Sequence, residues 1–154
     1  MDPLIIFGAT YLISVSALAA LWVMWDLPHP DRMRFLILVL ISLPLAYILA
    51  KTSSLLFYND RPFVVGNFVP LVPHSADNGF PSDHTLLAAS IAAVVILFRR
   101  NIGIILWVIV FIIGASRVFA GVHHVIDIAG AIAIAAIAVY ATHYILQSRY
   151  SRES

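Results

Sequence analysis

The sequence predicts an all-α, multi-pass membrane helical bundle of about five transmembrane helices, folded as a single domain over residues 1–154. Three observations carry that expectation. Hydrophobic residues make up 62% of the chain and charged residues 11%, whereas a soluble chain carries about 25% charge. The apolar residues fall in runs long enough to cross a hydrocarbon core of about 30 Å. Polar and turn-forming residues collect between those runs. A formal net charge of +1 offers no footprint for nucleic acid. With no cysteine, disulfides, thiolate nucleophiles, Cys-ligated zinc and iron–sulfur clusters are excluded.

The first run, Leu4 to Trp25, is free of charge and spans about 33 Å as helix. It lacks a basic leader and carries Asp2, which argues against a cleavable signal peptide. The second extends from Phe35 to about Tyr58, interrupted by Pro44 and Lys51, with a kink expected near the proline. The third runs from about Ser82 to Phe98, the fourth from Ile102 to about Ser116, and the fifth from about Val125 to Leu146. Between the second and third lies an irregular segment, Asn59 to Pro81, too polar to cross lipid and punctuated by prolines and glycines. Ala88, Ala89, Ala92 and Ala93 in the third helix, and Ala131, Ala135, Ala138 and Thr142 in the fifth, follow helical spacing. Such small faces let helix backbones approach closely in a bilayer. Trp22, Trp25, Tyr140 and Tyr144 fall near span ends, as an interfacial aromatic belt does.

Five spans sort the loop charges into two groups. Arg32, Arg34, Arg99, Arg100, Arg149 and Arg152 share one side, which the positive-inside rule makes cytoplasmic together with the C-terminus. The opposite side carries Arg61, His74, Asp77, Asp83, Arg117, His123 and Asp127 and faces the periplasm or cell exterior. That outer group mixes both signs with histidines at helix ends, where an unpaired charge is costly.

Three outer clusters suggest a phosphate site: Arg61-Pro62-Phe63, Pro81-Ser82-Asp83-His84, and Ser116-Arg117 followed by His123 and Asp127. Arginine presents planar, forked donors that match phosphate oxygens, so Arg61 and Arg117 fit as charge-neutralising ligands. Ser82 opens the third helix, where its hydroxyl and the following amides, Asp83's among them, form an anion-attracting helix end. His123 and Asp127 are four apart and share a face if the fifth helix begins there. Asp127 then fixes the imidazole tautomer and His123 presents its other nitrogen to phosphorus, giving a phosphohistidine that water hydrolyses. His84, on another helix, suits the general acid and then the general base. No metal or other cofactor is required if the arginines stabilise the charge. His74 and Asp77 fit loop turns as well as a headgroup pocket and receive no catalytic assignment; His124 and His143 read as structural, and His29 as a loop residue.

With these residues in place, the sequence resembles the type-2 phosphatidic acid phosphatases, which share their site with vanadium-dependent haloperoxidases. The family pattern is a lysine and Arg-Pro, then Pro-Ser-Gly-His, then Ser-Arg, five residues, His, three residues, Asp. Ser116-Arg117 followed by His123 and Asp127 reproduces the third part, and Pro81-Ser82-Asp83-His84 the second with Asp83 in place of glycine. Lys51 stands three residues earlier than the family lysine, whose place Ser54 takes. Lys51 would reach the site only if its helix unwinds before Arg61. The resemblance covers about residues 51–130 and implies His123 as nucleophile, Asp127 as its orienting partner and His84 as acid and base. It makes Arg61, Ser82, Arg117 and, more weakly, Lys51 phosphate ligands. The segments Asn59-Asp60-Arg61-Pro62-Phe63 and Pro73-His74-Ser75-Ala76-Asp77-Asn78 are similar to the bacitracin-resistance type of undecaprenyl diphosphatase. That implies a polyprenyl diphosphate, a membrane lipid, as partner. The family commonly has six spans, one more than the five read here.

The expected activity is therefore hydrolysis of undecaprenyl diphosphate to undecaprenyl phosphate. Its closest rival is a phosphatidate, phosphatidylglycerol-phosphate or lipid A phosphatase, because the same ligands accept any accessible phosphate end. A transporter or proton pathway ranks low, since the inner halves of the helices offer no trail of ionisable groups beyond His143.

Overall fold

The computed structural model describes the backbone of residues 2–153 and the side chains of residues 2–148. Its helices are α1 (Asp2–Thr10), α2 (Leu12–Asp26), α3 (His29–Leu56), α4 (Pro62–Val65), α5 (Asp83–Phe98), α6 (Arg100–Phe119) and α7 (Val125–Glu153). Among the described residues no strand forms, and an isolated bridge joins Asp60 to Asn78.

α5 is the axis of the bundle. Thr85, Leu86 and the whole stretch Ala88 to Val95 are buried, as expected of a helix that is apolar on every side and packed by α2, α3, α6 and α7. Ala88, Ala89, Ala92 and Ala93 on α5 and Ala131, Ala135 and Ala138 on α7 are all fully buried in one core, and α5 packs against α7, as small side chains allow. Outside this core the bundle presents large apolar side chains: Leu18, Trp25, Ile105, Phe111 and Ile137 are each more than half exposed. A contiguous apolar exterior of this kind requires lipid rather than water.

Among the described residues, α3, α6 and residues Val125–Ser148 of α7 are long and apolar enough to cross a membrane, and α1 with α2 counts as a fourth if taken as one bent span. α5, at 16 residues, is shorter; it reaches about 24 Å. The expectation of a continuous first helix from Leu4 to Trp25 is corrected: the chain bends by 42° between Thr10 and Leu12. The reason is tertiary. α1 docks on α6 near its C-terminal end, where Gly8 lies against the Ser116 side chain and Ala9 is buried in a small cluster with Val72, Ala120 and Val122. α2 turns inward instead and buries Val23 in the main core. α3 runs through Pro44 as a single helix and begins at His29, earlier than Phe35.

The two ends of the bundle differ. One gathers the α2–α3 turn, the α5–α6 junction and the distal part of α7. Arg32 caps α2 there by donating to the carbonyls of Trp25 (2.7 Å) and Leu27 (3.1 Å), and Arg99 pairs with Asp26 at 3.0 Å. The side chains of Arg149 and Arg152 lie outside the described residues. The opposite end gathers the C-terminal ends of α3 and α6, the first residues of α5 and α7, and the long connection from Phe57 to Ser82.

Candidate active site

The connection is organised by two asparagines. Asn78 accepts at Oδ1 from the Asn59 amide (3.0 Å) and the Phe80 amide (2.9 Å). Its Nδ2 donates to the carbonyls of Ser54 (2.9 Å) and Phe57 (3.0 Å). These carbonyls stand at the end of α3, where helical partners run out, so one side chain from the loop caps the helix and holds residue 59. Asn59 returns the link: its carbonyl accepts from the Gly79 amide at 2.8 Å. Gly79 packs closely here: a Cβ would lie 3.1 Å from both the Asn59 carbonyl and Asp127 Oδ2 and would press on both.

This small lattice presents Arg61. Its Nε donates to Asp77 Oδ1 at 2.8 Å, Nη1 to the Val122 carbonyl at 2.9 Å and Nη2 to the Asn78 carbonyl at 3.3 Å. Arg117, near the C-terminal end of α6, donates through Nη1 to the Ala9 carbonyl at 3.4 Å, while its buried Nε has no hydrogen-bond partner among the described residues. Both guanidiniums are almost wholly buried, at 5% and 3% exposure. They converge on one atom: Arg61 Nη1 is 3.3 Å and Arg117 Nη2 3.4 Å from His123 Nε2.

The tautomer of His123 follows from its other nitrogen. Nδ1 lies 2.9 Å from the Gly79 carbonyl and 3.4 Å from Asp127 Oδ2. Both neighbours only accept, so Nδ1 carries the proton and Nε2 keeps its lone pair, facing two cations. The Gly79 carbonyl is thus the nearer acceptor, a contact the spacing of His123 and Asp127 does not reveal. Asp127 is itself held from both sides, accepting from Asn59 Nδ2 at 2.7 Å and from the His124 amide at 2.8 Å. Burial lowers the pKa of His123, and the charges of Arg117 and Arg61 lower it further against the opposing pull of Asp127. The imidazole is therefore neutral near pH 7.

A cleft of about 280 Å³ opens in front of this histidine. Lys51, Arg61, Asp83, His84, Arg117 and His123 line it, so the fold brings these motif residues to one cavity. α3 ends at Leu56, so the unwinding that Lys51 requires does occur. His84 is half-buried at the start of α5, its ring open to a ligand. Ser82 is placed differently from the expectation. It is fully buried, makes no side-chain cap, and its hydroxyl accepts from Thr85 Oγ1 at 3.1 Å. Its amide donates to the Asp127 carbonyl at 3.2 Å, joining the starts of α5 and α7. Asp83 turns its carboxylate to Lys51 at 3.8 Å.

His74 and Asp77, given no role from sequence, also line the cleft. The His74 ring stands edge-on to His123 at 5.9 Å between centroids, with a buried Nδ1 that has no partner. Its pKa falls to about 4, from burial first and then from the charges of Arg61 and Arg117. Desolvation raises the pKa of Asp77, but its hydrogen bond and ion pair with Arg61 outweigh this and lower it overall. Among the described residues no group of three or more His, Cys, Asp or Glu side chains forms a metal site.

The bundle and its cleft define a class: a helical membrane protein in which two buried arginines converge on a neutral histidine at one end of the bundle. Residues 35–151 match the PAP2 superfamily, and the chain belongs to it. It is 35% identical over 130 residues to the bacitracin transport permease protein BcrC of Bacillus licheniformis, covering 84% of this chain and 64% of that protein. It is 29% identical to the undecaprenyl-diphosphatase BcrC of Bacillus subtilis, over 89% of this chain and 70% of the relative. The putative undecaprenyl-diphosphatase YbjG of Escherichia coli is 32% identical over 96% of this chain and 75% of its own. The chain thus spans about two thirds to three quarters of the length of these relatives. Among solved structures, LpxE of Aquifex aeolicus superposes with a TM-score of 0.68 at 22% identity, covering 92% of this chain and 93% of that one. The transmembrane PAP2-type phosphatidylglycerolphosphate phosphatase of Bacillus subtilis gives 0.64 at 23% identity, over 95% and 74%. At these identities the two structures establish the shared fold.

Proposed function

We propose that this chain is an outward-facing lipid phosphatase that hydrolyses undecaprenyl diphosphate to undecaprenyl phosphate through a phosphohistidine. The observation that carries the reading is the convergence of Arg61 and Arg117 on an unprotonated His123 Nε2, 3.3 and 3.4 Å away. The relatives named as undecaprenyl-diphosphatases support the lipid.

The terminal phosphoryl group enters between the two guanidiniums, and the partnerless Nε of Arg117 becomes one of its donors. His123 Nε2 attacks phosphorus, a P–N bond forms, and the bond from phosphorus to the bridging oxygen breaks. His84 gives its proton to that oxygen and the lipid monophosphate leaves. His84 then takes a proton from water as the water oxygen attacks the phosphohistidine, the P–N bond breaks, and orthophosphate departs with His123 neutral again. Asp127 and the Gly79 carbonyl hold the Nδ1 proton throughout and share the positive charge that develops on the ring. Acid–base assistance of this kind contributes about 10²- to 10⁴-fold.

Phosphate release from undecaprenyl diphosphate and from phosphatidate, by detergent-purified protein in excess chelator, tests the reading. Chelator-resistant release that favours the diphosphate is expected. A preference for phosphatidate keeps the mechanism and replaces the substrate, and cleavage of neither overturns both. Orientation is tested by labelling Ser75→Cys and Asn101→Cys in intact cells with an impermeant thiol reagent. Labelling at position 75 alone is expected; labelling at 101 alone reverses the topology.

A further inference from the structure

The cleft holds a third cation that its two buried arginines do not explain. Lys51 projects from α3 with Nζ 3.8 Å from Asp83 Oδ1 and 5.2 Å from the Tyr47 ring centroid. The side chains of Lys51 and Asp83 are 52% and 65% exposed, whereas Arg61 and Arg117 are buried. All four residues line one cavity. The cations therefore stand at two levels: two guanidiniums at the nucleophile, and one ammonium at the mouth, neutralised by a carboxylate from the facing helix.

This arrangement matches the charge of a diphosphate ester. A terminal phosphoryl group carries up to two negative charges near neutral pH, which two guanidiniums balance; the inner phosphate carries one, which one ammonium balances. We propose that Lys51 is the receptor for the second, lipid-proximal phosphate of a diphosphate, and that Asp83 holds it in the empty cleft and yields it when that phosphate arrives. The proposal rests on the lipid phosphatase reading and narrows it to diphosphates. A monophosphate fills only the arginine level at the nucleophile and leaves the Lys51–Asp83 pair closed. An exposed ion pair is weak, so a charge-assisted bond from Lys51 to phosphate replaces it readily. The surplus carboxylate at the mouth, otherwise repulsive to an anion, then serves to discriminate: it opposes phosphate entry except where the ligand can take the lysine from it.

The test compares farnesyl diphosphate with farnesyl phosphate, which share a tail and differ by one phosphate, on the purified full chain. The quantity read is the ratio of kcat/KM for the two. Lys51→Gln is expected to lower that ratio about tenfold or more, and Lys51→Arg to restore most of it. Asp83→Asn, which releases the lysine, is expected to lower KM for the diphosphate. If Lys51→Gln lowers both substrates equally, Lys51 serves the reacting phosphoryl group and the proposal fails; an unchanged ratio also overturns it. If the wild type cleaves neither compound, the phosphatase reading is still decided on undecaprenyl diphosphate, and thermal stabilisation by inorganic pyrophosphate and orthophosphate decides this inference separately. Loss of the pyrophosphate shift alone in Lys51→Gln supports it, and loss of both or of neither overturns it.

Discussion

Arginines stand at both ends of this bundle, in different company. At the end formed by the α2–α3 turn and the α5–α6 junction, Arg34 pairs with Asp31 at 3.6 Å and Arg99 with Asp26 at 3.0 Å, through side chains 37–62% exposed. At the other end Arg61 and Arg117 are buried, and each points a terminal nitrogen at a histidine rather than at a carboxylate. Burying a guanidinium costs several kcal/mol unless partners compensate. Among the described residues only one of the two has an acidic ion-pair partner, Asp77 on Arg61. Arginine count therefore says nothing about function, and neither does a buried guanidine nitrogen without a partner, since Arg32 Nε at the first end is one as well; what sets the second end apart is two buried guanidiniums converging on one histidine nitrogen. At the first end exposed carboxylates and backbone carbonyls partner the arginines; at the second the two guanidiniums share a histidine nitrogen, the feature on which the proposed phosphate site rests.

The largest effect that sharpens this contrast is at the nucleophile. His123→Ala is expected to lower turnover of the lipid diphosphate by at least about 10³-fold, as removal of a covalent catalyst does, measured by phosphate release with circular dichroism to confirm the fold. Next come the arginines. Arg61→Lys and Arg117→Lys each replace a fork with a point charge and are expected to cost about 10²-fold, in the range of a lost oxyanion donor. Arg34→Lys at the other end is expected to cost less than about twofold. Equal losses at the two ends would break the comparison.

Asp127→Asn separates two ways of holding the histidine. In serine proteases the equivalent change costs about 10⁴-fold, because the tautomer is lost. Here the Gly79 carbonyl already accepts from Nδ1 at 2.9 Å, so a smaller loss of about 10²-fold in kcat is expected, with KM little changed. A loss of about 10⁴-fold would make Asp127 the dominant anchor.

The pH dependence has a definite sign. His123 acts neutral, and its pKa lies below the ordinary value of 6.5. The acid limb of kcat/KM is therefore expected below pH 6.5, and a limb centred above 6.5 would contradict the assigned environment. The smallest effect concerns stability. His74 has a folded-state pKa of about 4 against 6.5 unfolded, so its contribution is present above pH 6.5 and lost as pH falls toward 4. His74→Gln is expected to flatten the decline of Tm across that window; an unchanged slope would show that His74 is no drier folded than unfolded.

Much of this was legible in the chain. The apolar runs marked the helices, because lipid demands length and hydropathy over a contiguous stretch. That Arg61, His84, Arg117, His123 and Asp127 would gather at one end of the bundle was legible because they stand in short motifs at helix ends. Contacts made across the fold were not. Nothing in Asn78 announces that it caps α3 from 21 residues away, and a backbone carbonyl such as Gly79's leaves no mark in a residue code. Ser82 misled because Pro81-Ser82 reads as an open helix start, while packing turns its hydroxyl inward to Thr85. The bend between Thr10 and Leu12 has no proline behind it; it arises where α1 finds α6.

The central claim is that His123 Nε2, left unprotonated between two buried arginines, takes the phosphoryl group. Rapid alkaline quenching during turnover, followed by mass spectrometry of the peptide containing position 123, tests this most directly. A base-stable, acid-labile phosphate on His123, absent from His123→Ala and accumulating in His84→Ala, is the predicted result. Steady turnover with no phosphate on His123, or with the phosphate on another side chain, would contradict it.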